Sequence, residues 1–183
     1  MKQKTALLAA ISAVLAVPIL AGCGGGGDSS TAPTDPQPHS VSAALPDGLT
    51  ATLAEDRSSV SVGGTVTYTM TLANATGQPI TYRPVIGGAA PSGNVPAALV
   101  VKDPSGRTAF PVGVMPQFIS VGPSTTLAPG QSVSGTLAVG GSDQGRYSAA
   151  GRYNASASFA VQTGQDSSSQ ETATAGPLPV DAQ

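Results

Sequence analysis

The chain has 183 residues, with 8 basic against 10 acidic side chains and a net charge of −2. That balance argues against a nucleic-acid partner, which selects for clustered Lys and Arg. Aromatics are 4% with no Trp, charged residues are 10%, and there are 23 glycines and 16 prolines. The expected core is therefore Val, Leu, Ile and Ala with a few Tyr and Phe, in a turn-rich all-β fold.

The N-terminus carries Met1, Lys2 and Lys4, then an apolar run from Ala6 to Leu20. A positive start, an apolar stretch and small residues before a cut are the parts of a secretory signal. The run contains Pro18 and is short for a membrane span, which needs about 20 apolar residues. It ends in Leu20-Ala21-Gly22-Cys23, and Cys23 is the only cysteine. An unpaired thiol in an oxidising compartment is a liability, whereas a lipidated one is consumed. These four residues resemble the lipobox of bacterial lipoproteins. The resemblance implies that residues 1–22 form a signal helix that is cleaved off. It also implies that Cys23 carries a diacylglycerol thioether and an N-acyl chain, so that membrane lipid is the first partner. Several acyl chains make an anchor effectively permanent. The implied location is the bacterial cell envelope, outside the cytoplasm. Gly24 in place of Asp resembles outer-membrane lipoproteins if the cell is Gram-negative. An ordinary secretory signal with an incidental cysteine, or a short N-terminal anchor, are the competing readings.

Gly24 to about Asp47 is rich in Gly, Pro, Ser and Thr and lacks apolar periodicity. It reads as a disordered tether, residues 23–47 with the cysteine, and a coil of that length spans on the order of 27 Å. His39, the only histidine, falls in it and reads as an unengaged side chain.

Residues 48–183 read as one domain. Thr65 to Leu72 alternates without a break, so Val66, Tyr68, Met70 and Leu72 face a core and the threonines face out. Tyr153, Ala155, Ala157, Phe159 and Val161 repeat the pattern. Weaker strand signals cover Thr50–Leu53, Ser59–Val62, Pro79–Arg83, Ala97–Lys102, Thr108–Val112, Ser132–Val139 and Thr172–Val180. Turn signals separate them. Asp103-Pro104-Ser105-Gly106 suits a type I turn, Asn74-Ala75-Thr76-Gly77 has related spacing, and Pro129-Gly130 suits the centre of a type II turn. This spacing predicts an immunoglobulin-like β-sandwich of about seven to nine antiparallel strands. Gly151-Arg152-Tyr153 resembles the tyrosine corner of such sandwiches, with Gly145-Arg146-Tyr147 as a competing copy.

Asn74 and Gly77, Pro79-Ile80, Val100-Val101-Lys102-Asp103 with Gly106, Leu127-Ala128-Pro129-Gly130 and Gly151-Arg152-Tyr153 fall in an order similar to the BsuPI family of intracellular proteinase inhibitors. The resemblance runs from about Val60 to Val161. Phe110 stands where that pattern often has Trp, and Pro84 to Pro96 is divergent. The resemblance implies a protease as partner, engaged by a loop.

Catalysis has little to work with. A hydrolase needs a nucleophile held beside a base, and the domain has no His or Cys and one lysine, Lys102. Glu55 and Asp56 are adjacent on an extended segment, so their side chains diverge. Zinc-ligand spacing is absent, and Asp143 beside Ser142 and Gln144 reads as a solvated loop rather than a calcium site. The chain is read as a non-enzyme without cofactor or metal. Two roles remain. One is a binding module using Pro84, Ile86 and Asn94 in one loop and Met115, Phe118 and Ile119 in the Val114–Ser124 loop, toward a protease or another envelope protein. The other is a structural or envelope-accessory spacer. Exposed Phe118 and Tyr82 would favour the first, and buried ones the second.

Overall fold

The computed structural model describes residues 39–113, 120–140, 147–163 and 170–183. The lipobox residues Leu20, Ala21, Gly22 and Cys23 lie outside the described residues, as do Met115, Phe118, Ile119, Ser142, Asp143 and Gln144.

The strongest alternating segment forms the centre of the first sheet. Val66–Asn74 is strand β4, and Val66, Tyr68, Met70 and Leu72 are fully buried while Thr67, Thr69 and Thr71 face out. It pairs on one side with β2 (Leu49–Glu55) and on the other with β10 (Ser132–Val139). β1 (Ser40–Ala44) adds to β2 and completes the order β1-β2-β4-β10. The outer face of this sheet is a hydroxyl surface. One row across it is Ser42, Thr52, Thr71 and Ser134, bonded in pairs at 2.8 Å.

The second sheet is built on β11 (Gly151–Thr163) and β12 (Gln170–Ala182). β11 meets β6 (Ala97–Lys102) along residues 154–159 and β5 (Ile80–Ile86) along residues 161–163. Short strands fill the rim: β3 (Ser59–Val60) on β12, β7 (Thr108–Phe110) on β6, and β8 (Ser120–Val121) and β9 (Thr125–Leu127) on β5. The core lies between the sheets. Leu49, Leu53, Met70 and Leu72 from one meet Leu99, Phe159, Leu178 and Val180 from the other. Each such side chain stabilises the fold by about 1.5–3 kcal/mol. The chain is an all-β sandwich.

Turn chemistry closes the strands as the residue types dictate. Gly106 N–H donates to Asp103 O at 2.9 Å, and the Asp103 carboxylate accepts from Ser105 and Arg107, which holds that carboxyl down near 2. Gln131 N–H donates to Ala128 O at 3.0 Å across Pro129-Gly130. Gly130 has φ 75°, which the third position of a type II turn requires. Tyr153 settles the choice between two tyrosines. Its hydroxyl donates to Ala149 O and accepts from Ala149 N–H, both at 3.2 Å, which is the corner contact back to the upstream backbone.

Several expectations are corrected. There are twelve strands among the described residues rather than seven to nine, and β3 joins β12 in parallel. The tether was expected to reach Asp47, but Ser40–Ala44 is a strand. Its apolar residues Val41 and Ala43 pack on the core, and two alternating residues were too short a signal. The Pro84–Pro96 loop is shorter than expected, since β5 runs through Pro84 to Ile86. The Ser59–Val62 and Thr108–Val112 signals end early, leaving Val62 and Val112 exposed. β12 accepts Pro177 and Pro179 because β3 reaches it only at Asp181 and Ala182, so its outer edge needs no N–H there.

Candidate functional site

The loop residues chosen from the sequence separate. Pro84 is buried and Ile86 is half-buried inside β5, and only Asn94 stays exposed on a loop, with φ 55°. That loop is stapled to the edge of the first sheet. Ser92 N–H donates to Thr136 O at 3.0 Å, and Ser92 Oγ accepts from Thr136 N–H at 3.2 Å. Gly135 on β10 makes this approach possible, because a Cβ there would run into the Ser92 carbonyl. The Pro- and Gly-rich segment covers a strand edge that would otherwise be open to pairing.

The described aromatic residues are withdrawn from the surface. Tyr68, Tyr82, Tyr147, Tyr153, Phe110 and Phe159 are all buried. Large hydrophobic side chains are exposed instead at Val62, Val112 and Val121. Val112 and Val121 flank the segment that carries Met115, Phe118 and Ile119 in the sequence. Lys102 is exposed at the end of β6, with its Nζ 3.5 Å from Thr108 Oγ1. Among the described residues no group of three His, Cys, Asp or Glu side chains converges as a metal site.

One polar cluster was not foreseen. Glu55, the last residue of β2, stands opposite Tyr68 of β4. The expectation that Glu55 and Asp56 diverge holds, with Glu55 buried and Asp56 exposed. Tyr68 and Tyr147 share a hydrogen bond of 2.6 Å between their hydroxyls. The Tyr147 ring meets the Tyr153 ring edge-on, with centroids 4.9 Å apart. Burial pushes both the Tyr68 and Tyr147 hydroxyls above the usual phenol range, so they stay neutral. Neither carboxyl oxygen of Glu55 has a hydrogen-bond partner. Among the described residues, the basic group within ion-pair distance of it is His39, whose Nδ1 lies 3.5 Å from Oε1. His39 is thus engaged with the domain rather than free in a tether, and its carbonyl accepts the Glu55 N–H at 3.1 Å. The residues just beyond Glu55 line an open hollow of about 320 Å3, formed by Arg57, Ser59, Ser61, Gly64, Thr65 and Gln183 with Val60. The only sequence signal for this cluster is the register: Glu55 continues the buried alternation of Leu49, Ala51 and Leu53.

Among solved structures, the chain is similar to the C-terminal domain of wzt. The match has a TM-score of 0.36 at 8% identity, over 84% of this chain and 83% of that one. No protein-family model matches the chain, and no curated protein matches it.

Proposed function

We propose that this chain is a lipid-anchored protein of the bacterial cell envelope whose β-sandwich acts by non-catalytic contact with another protein. In this reading residues 1–22 are the cleaved signal and Cys23 carries the lipid. The tether then ends just before Ser40, and the sandwich occupies the rest. The lipobox-like Leu20-Ala21-Gly22-Cys23 supports the anchor. The observation that carries the contact is the pair of exposed valines, Val112 and Val121. They frame a segment containing Met115, Phe118 and Ile119. They bracket it in the sequence, and an exposed apolar surface there would mark a binding site. The order of turn motifs similar to BsuPI inhibitors makes a protease the first partner to try.

A second reading is favoured by a specific observation. Tyr82 is buried, and the loop from residue 87 to Pro96 is bound to β10. Both suit an envelope-accessory spacer with no inhibitory loop.

The experiment is a titration of a lipid-free version, residues 24–183, against a subtilisin-type serine protease. It must begin before Ser40, since β1 belongs to the sheet. Residual protease activity is followed alongside mass spectrometry of the domain. Stoichiometric inhibition with an intact domain is the expected result. Unchanged protease activity would leave the spacer reading.

A further inference from the structure

Glu55 is a charged residue type placed where no charge is accommodated. Its side chain is fully buried, while that of His39 is 53% exposed. The groups around it come from every neighbouring element. His39 stands at the start of β1, Tyr68 on β4, Tyr147 ahead of β11, Asp56 next in the chain and Asp181 on β12. The described arginines at this end are already engaged. Arg57 pairs with Asp56 at 3.0 Å and Arg152 with Asp181 at 2.9 Å. The two hydroxyls bond each other, using one of their two protons, and neither makes a hydrogen bond to the Glu55 carboxyl. Among the described residues, an ionised Glu55 has one basic neighbour to turn to, the His39 imidazole, at a distance too long for a strong hydrogen bond.

We propose that Glu55 is a proton-controlled latch: protonated, it lets His39 and β1 close over the end of the sandwich, and ionised, it drives that end open.

The coupling to β1 is covalent and hydrogen-bonded. Glu55 N–H donates to His39 O, directly beyond the first β1–β2 register pair, Ser40 with Ala54. An unpaired buried carboxylate is among the most costly groups to keep in a core. β1 is the element best able to yield, because it lies at the sheet edge and is only five residues long. Burial, then the like charges of Asp56 and Asp181, push the Glu55 carboxyl up to about 8. The opening thus falls just above neutral pH rather than in acid.

The test is hydrogen–deuterium exchange on the whole chain in detergent, corrected for the intrinsic rate at each pH. Protection of residues 39–45 is read relative to residues 66–74. Between about pH 6 and about pH 9 this ratio falls about fivefold or more in the wild type and stays flat in Glu55→Gln. A smaller fall in the wild type, or the same fall in the variant, overturns the proposal. Carbon-13 NMR of the wild-type Glu55 carboxyl keeps the test open if the variant does not fold. A titration midpoint above about pH 6 supports the latch and one below it overturns it.

Discussion

Asn74 and Glu55 are both buried polar residues on the paired strands β2 and β4, and they are treated in opposite ways. Asn74 ends β4 opposite Leu49, and Glu55 ends β2 opposite Tyr68. The Asn74 amide donates to Gln78 O at 2.8 Å and Leu127 O at 2.9 Å. Its carbonyl accepts from Thr76 N–H and Thr76 Oγ1. Two turns are locked together through one neutral side chain. Glu55 is as deeply buried and has no hydrogen bond to its carboxyl. A satisfied buried amide is a fixed joint whose worth does not depend on pH. An unsatisfied buried carboxyl is conditional, because only its protonated form fits the core.

The largest effect expected from breaking this contrast is at Glu55. Its folded-state value is raised from the ordinary 4.5 to about 8. The contribution is therefore full below about pH 4.5 and is lost as pH rises through about 8. The wild type loses on the order of 4 kcal/mol of unfolding free energy across that window. Glu55→Gln removes this dependence and leaves the variant more stable than wild type at alkaline pH. Denaturant titrations across that range read it directly.

Asn74→Ala is expected to cost about 3 kcal/mol, since it strands Gln78 O, Leu127 O and the Thr76 N–H. The loss should be the same in acid and in base. A pH-dependent loss at Asn74 would blur the comparison.

The smallest effect belongs to Tyr68→Phe. It removes one hydroxyl and leaves Tyr147 unpaired beside Glu55, for a loss of about 1–2 kcal/mol. Its thermal midpoint, compared with that of Glu55→Gln at neutral pH, shows whether the phenols help seat the protonated carboxyl. Additive losses in the double variant would separate the two groups.

The legibility of the fold followed the strength of local pattern. β4 and β11 were read residue by residue, because strict alternation with β-branched and aromatic residues has one extended solution. The Asp103 and Pro129-Gly130 turns were read because their side chains act on their own backbone. The short strands β1, β8 and β9 were not, since each depends on a partner far away in the chain. The candidate site was less legible. Pro84 and Ile86 resemble loop residues by composition, yet pairing with β11 at Pro84 and with β8 at Ile86 draws them into β5. The alternation of Leu49, Ala51 and Leu53 puts Glu55 on the buried side of β2, but nothing local says that its carboxyl finds no hydrogen-bond partner there.

By itself the sequence determined the all-β class, the two principal strands, the main turns and an N-terminal segment resembling a lipoprotein leader. These rest on local stereochemistry and periodicity, which act over a few residues. Tertiary structure alone decided that Ser40–Ala44 closes the first sheet, that Ser92 guards the β10 edge, and that Glu55 and His39 meet. Those outcomes join residues distant in the chain, and their energy comes from desolvation that only the packed sandwich imposes.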